Sequence, residues 1–207
     1  TWYHPSNAYF VFYGNIATSD YLRFLEERLA EFSPSPIAPR IVRQEPWQAP
    51  RRIEDGYAVA ADESTAERTF LHMAWALGDP LDAEKTILLE LLDFILLGHD
   101  AAPLRRAIVD AKIGQDLVAS GVCELGLESA FTVGVRGSEA DRAESFRDVV
   151  LGTLARVAAD GIAESDVVAA FRHHAYRCRE IVSMRPLHVM DAVLTTWPYG
   201  ADPLLHV

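Results

Sequence analysis

A chain of 207 residues, half of them apolar, is long enough to bury a real core and too hydrophobic to remain disordered. Its net charge of −11 argues against a nucleic-acid partner, because phosphate binding wants a basic face. Two cysteines, Cys123 and Cys178, give no disulfide framework and fit a reducing compartment, with the cytoplasm favoured.

The first expected strand is Ala8-Tyr9-Phe10-Val11-Phe12-Tyr13, turned by Gly14-Asn15. Thr18 or Ser19 then caps a helix whose apolar face is Leu22, Leu25 and Leu29. That helix stops before Pro34, since proline disfavours helical geometry in the residue ahead of it. Pro34, Pro36, Pro39, Pro46 and Pro50 make the next stretch a stiff surface connection.

Residues 52–60 and 69–77 read as strands. The first places Ile53, Tyr57 and Val59 on one face; the second alternates Leu71, Met73, Trp75 and Leu77 against Phe70, His72 and Ala74. Asp79-Pro80 turns the chain into an apolar helix carrying Leu88, Leu91, Leu92 and Ile95, closed by Gly98. Its run 87–97 is shorter than the roughly 20 residues that span a bilayer, and Glu90 and Asp93 interrupt it. No membrane partner is expected.

Pro103 opens a short helix over 104–112, stopped at Gly114. Residues 117–124 and 129–136 form an antiparallel pair, with Phe131, Val133 and Val135 facing one way in the second strand. Ser138 caps a long helix carrying Phe146, Val149, Val150, Leu154 and Val157 and ending at Gly161. Another helix places Val167, Phe171, His174, Cys178 and Ile181 along one stripe. Pro186 begins the last helix, which stops at Trp197-Pro198. The order β α β β α α β β α α α predicts an α+β fold, a mostly antiparallel sheet with helices on one face. No internal repeat is present, and 1–207 reads as one domain.

The sequence has no glycine-rich phosphate loop, no G-x-S-x-G elbow, no C-x-x-C pair, and neither H-E-x-x-H nor H-x-x-E-H. His174 and Cys178 stand one helical turn apart, a spacing two metal ligands can share, with His173 beside them. His188 joins them only if the helices fold back suitably. A zinc site needs three or four ligands with outer support, and His174 lies on an apolar stripe, so a satisfied core histidine is the expectation. Cys178, flanked by Arg177 and Arg179, is a second candidate as a nucleophile. The same stripe predicts burial, and buried thiols are inert. Arg105 and Arg106 oppose the dipole at a helix start and should point outward, to solvent or to a partner surface. Read from its residues alone, this is an α+β domain with no self-contained active site.

Four segments in register go further. Tyr3-His4-Pro5-Ser6-Asn7-Ala8 with Phe12-Tyr13-Gly14-Asn15 is the first. Leu91-Leu92-Asp93-Phe94-Ile95-Leu96-Leu97-Gly98 with Ala102-Pro103-Leu104-Arg105-Arg106-Ala107-Ile108 is the second. Phe131-Thr132-Val133-Gly134-Val135-Arg136-Gly137 and Trp197-Pro198-Tyr199-Gly200-Ala201-Asp202-Pro203-Leu204 complete the set. Together they resemble the pitrilysin/insulinase family of zinc metallopeptidases, in the branch that contains presequence protease. The departures are small: Asn15 replaces a frequent Asp, and Ala102 a common Ser.

The resemblance implies one of four homologous α+β domains that close as a clamshell around unfolded peptides. The family's catalytic domain carries H-x-x-E-H and zinc, and none of those residues has a counterpart here. This chain therefore resembles the second, non-catalytic domain, with no catalytic residue and no cofactor of its own; zinc is implied for the parent enzyme only. Expected partners are the preceding catalytic domain, the C-terminal half of the same protein and an unfolded peptide. The absent initiator Met fits a cut or processed chain, and the isolated piece should self-associate. An acidic chamber wall would suit the Arg-rich, acid-poor targeting presequences that such a parent would meet. The alternatives are a scaffold or interaction module from a family member without the zinc motif, and a small metal site at His173, His174 and Cys178.

Overall fold

Two alternating runs become the longest strands of the computed structural model, which describes residues 3–36 and 42–202. In chain order the elements are α1 (Thr18–Leu29), β1 (Thr69–Gly78), α2 (Ala83–Leu97), α3 (Pro103–Asp110), β2 (Asp116–Leu117), β3 (Gly121–Leu125), β4 (Glu128–Ser138), α4 (Ala143–Asp160), α5 (Glu164–Arg179) and α6 (Arg185–Thr196). Helices with an antiparallel sheet make the fold α+β, as the pattern predicts.

The described residues group into two compact units: Thr1–Arg43 with Ile181–Val207, and Gln44–Glu180. The second holds the sheet. β4 is its central strand, with β1 antiparallel along one side and β2 and β3 sharing the other. The register sets Trp75 opposite Phe131, Met73 opposite Val133 and Leu71 opposite Val135, so the apolar members of both alternations share one face.

Helices cover that face. Leu104 and Ile108 of α3 and Phe146 and Val150 of α4 pack with Leu71, Leu96, Leu97, Ile113, Val133 and Val135. Each such side chain, fully buried, contributes roughly 1.5–3 kcal/mol. α2 turns a second stripe, Leu91 and Ile95, onto Ala170 of α5, with Phe94 and Val167 at the margin. Asp82 caps α2, its side chain accepting from the Lys85 N–H at 3.1 Å, and Gly98 ends it. Pro103 sits in the first turn of α3, where its missing N–H leaves nothing unpaired.

In the other unit, α1 and α6 stand with short 3-10 turns at Pro5–Asn7 and Trp197–Tyr199. Tyr9 meets Trp197 edge-on, with centroids 4.7 Å apart, and Phe12 stacks on Tyr21 at 4.4 Å. Pro186 opens α6 as expected, and Gly200 takes the left-handed conformation after the last turn.

The structure corrects several local expectations. Residues 8–13 and 52–60 are not strands; neither has a ladder partner among the described residues. Their alternation is instead met by ring contacts, such as Tyr57 against Phe70 at 5.7 Å. The single strand expected over 117–124 is broken, because Ala119 and Gly121 both adopt positive φ and turn the chain from β2 into β3. Ser138 does not cap a helix. It ends β4, wholly buried, and its hydroxyl donates to the Ile113 carbonyl at 2.6 Å, while α4 begins after a short 3-10 turn. α1 follows Ala17 with no side-chain cap from Thr18 or Ser19, and of its expected apolar face Leu25 and Leu29 are half-buried while Leu22 is exposed. Leu88 and Leu92 likewise lie on the open side of α2. α3 ends two residues early, as Lys112 turns left-handed. Pro39, Pro203 and Leu204 fall outside the described residues.

Candidate functional site

The helices occupy one face of the sheet, and the other is open. Phe70 and His72 of β1 and Arg136 of β4 are exposed on it. At one end, Tyr57, Glu67, Arg68, Phe70, Asp116 and Arg136 line a concavity of about 640 Å3. Its charges are answered locally. Arg136 pairs with Asp116 at 3.0 Å, Arg68 with Glu63 at 3.5 Å, and the Gln115 amide donates to Glu67 at 3.1 Å. The arrangement holds no nucleophile beside a base. It is a polar, roomy surface suited to contact rather than chemistry.

A smaller cavity of about 320 Å3 opens where Trp75, Leu92, Leu96, Phe131 and Leu154 leave the core incompletely filled. Asp93 stands in its wall. Burial raises the pKa of this carboxyl, the nearby Glu90 adds to the rise, and the Val122 backbone N–H it accepts works the other way.

The residues singled out by sequence are divided by α5. His173 also meets α2, stacking on Phe94 with centroids 4.2 Å apart. His174 faces α2, its Nδ1 3.3 Å from Glu90 and its Nε2 3.5 Å from the Cys178 sulfur. His174 has partners, but it sits half-buried at the helix margin and not in the core as expected. Cys178 is exposed, against the expectation of burial, because the packed side of α5 centres on Ala170 and leaves Phe171 in the open; Ile181 lies beyond the end of the helix. Sequence reasoning missed Glu90, whose position one residue before the buried Leu91 was the available signal.

As placed, Glu90 and Cys178 meet opposite nitrogens of one imidazole and do not converge on a single ion, and His173 is engaged in stacking on Phe94. Among the described residues no group of three or more His, Cys, Asp and Glu is arranged to hold a metal. His188 lies on α6, and Arg105 and Arg106 point outward, paired with Asp100 and Asp110. Among the described residues no helix is long and apolar enough to cross a membrane.

The chain is 31% identical over 208 residues to "Presequence protease 1, chloroplastic/mitochondrial" of Arabidopsis thaliana, covering 98% of the chain and 19% of that protein. It is 31% identical over 214 residues to "Protein HypA" of Clostridium perfringens, covering all of the chain and 22% of the relative. It is 26% identical over 208 residues to "Presequence protease, mitochondrial" of Danio rerio, covering 99% and 20%. The chain thus spans about a fifth of the length of these relatives. The Peptidase M16 inactive domain family matches residues 1–172, and the chain belongs to that family as a non-catalytic domain.

Proposed function

We propose that this chain is the non-catalytic domain of a presequence-protease-like zinc metallopeptidase that degrades unfolded peptides. In this reading it forms part of the wall of the peptide chamber and docks the zinc-bearing domain. The observation that carries the reading is the match to the inactive peptidase domain over residues 1–172. The open sheet face and its concavity supply a surface for an extended peptide, and β1 offers a strand edge that no described residue pairs. The catalytic zinc, the cleavage chemistry and the C-terminal half belong to the rest of the parent. A reducing compartment, the cytoplasm by cysteine usage, suits Cys123 and Cys178, which form no disulfide.

The test has two arms. The purified chain, assayed for zinc content and for cleavage of unfolded peptides, should be metal-free and inactive. Stoichiometric zinc with chelator-sensitive cleavage sinks the proposal. In the full-length parent, Phe70→Ala with Arg136→Ala should raise KM for long peptides while leaving kcat nearly unchanged, because a wall residue contributes uniform binding. Reversing acidic surface positions of the parent should alter the salt dependence of cleavage of basic peptides; an unchanged dependence removes the electrostatic role.

A further inference from the structure

We propose that Cys178 is a nucleophilic thiol served by His174 as its base and by Glu90 as a positioning residue. It is a modification site for α,β-unsaturated carbonyl electrophiles. Three side chains from two helices form one chain of contacts: Glu90 Oε2 to His174 Nδ1 at 3.3 Å, then His174 Nε2 to Cys178 Sγ at 3.5 Å. With the imidazole proton on Nδ1, on the side of the Glu90 carboxylate, Nε2 presents its lone pair to the thiol. This is the nucleophile, base and orienting group logic of covalent catalysis, here built at a surface.

The fold holds it in register. Leu91 and Ile95 of α2 pack on Ala170 of α5, which sets Glu90 opposite His174. The single helical turn between His174 and Cys178 does the rest. Exposure follows the roles: the His174 side chain is only 27% exposed, whereas Cys178 is open to reagents.

The step balances without an oxidant. The Sγ proton passes to Nε2 as sulfur attacks the β-carbon; an S–C bond forms, and the C=C π pair moves through the carbonyl to the α-carbon. That carbon takes the proton back from the imidazolium, leaving a thioether and a neutral His174.

The experiment treats the full chain with methyl vinyl ketone and follows adducts at Cys178 and Cys123 by peptide mass mapping. Cys178 should react faster in the folded chain than in the same chain unfolded in urea. His174→Ala should slow the reaction at Cys178 roughly tenfold or more, with added imidazole restoring part of it, and leave Cys123 unaffected. Glu90→Gln should slow it by less, and Glu90→Asp should recover part of the rate. A folded-state rate at or below the unfolded one overturns the proposal. So does an unchanged rate in His174→Ala, or a loss that imidazole fails to restore.

Discussion

The imidazole of His72 occupies the place that a side chain on Gly134 would need. The two residues face each other in the β1–β4 register, and a methyl at position 134 would fall 2.3 Å from the ring and 2.5 Å from the Val118 carbonyl oxygen. The ring is itself held, its Nε2–H donating to the Ala119 carbonyl at 3.0 Å. Gly134→Ala should therefore destabilise the chain by about 1–3 kcal/mol, read as a lower denaturant midpoint. Adding His72→Ala should restore little, because the Val118 backbone still blocks the site. Full recovery in the double variant refutes this account.

Asp93 gives stability a dependence on pH. Burial, the largest cause, holds its pKa above the ordinary 3.8, so the folded chain keeps this proton to higher pH than the unfolded chain does. Its stabilising share is complete below the ordinary value and is lost as pH rises through the raised one. Asp93→Asn removes the ionisation while keeping an acceptor for the Val122 N–H. The variant should gain on the wild type in urea melts as pH climbs out of the acid range. A constant gap between the two across that range contradicts the assignment.

Two leucines on adjacent helices should behave differently. Leu104 is wholly buried beneath the sheet, and Leu88 is 56% exposed on α2. Leu104→Ala should cost about 2–5 kcal/mol. Leu88→Ala should lie within about 0.5 kcal/mol of wild type. Equal losses in thermal or denaturant unfolding would place Leu88 in a packed interface of the chain in solution.

Exposed apolar side chains also bear on association. Leu22 and Phe24 of α1 and Leu187 of α6 are all more than half exposed. Surface of this kind commonly marks an interface. The chain alone should form dimers or larger species at high concentration in sedimentation velocity, and Leu22→Glu with Phe24→Glu should reduce them. A strict monomer at every concentration rejects the expectation.

The sheet was readable where alternation had a partner. Leu71, Met73 and Trp75 meet Val135, Val133 and Phe131, and both halves show period two in the sequence. Residues 8–13 alternate as well, but pairing is a property of two segments, and one segment cannot announce that its partner is missing. Ser138 shows a similar limit: a serine before a helix satisfies the local rule for a cap, yet the Ile113 carbonyl competes for its hydroxyl from the far end of a loop. The stripe through Cys178 failed for want of one small residue. Ala170 is the most buried position of α5, and centring the packed face there turns Cys178 outward. The position of Glu90 beside Leu91 was readable, but its pairing with His174 was not, because that depends on how α2 lies against α5.

β4 has a consequence for how the molecule comes together. Every rung of the sheet runs through it, and its longest ladder joins residues as distant in sequence as Thr69 and Ser138. The β3–β4 hairpin closes locally, with Leu125 opposite Glu128, whereas β1 joins only once the chain has closed the long loop to β4, so that ladder waits on a single encounter. Deuterium labelling during refolding should protect amides of α4 and of the β3–β4 hairpin before those of β1.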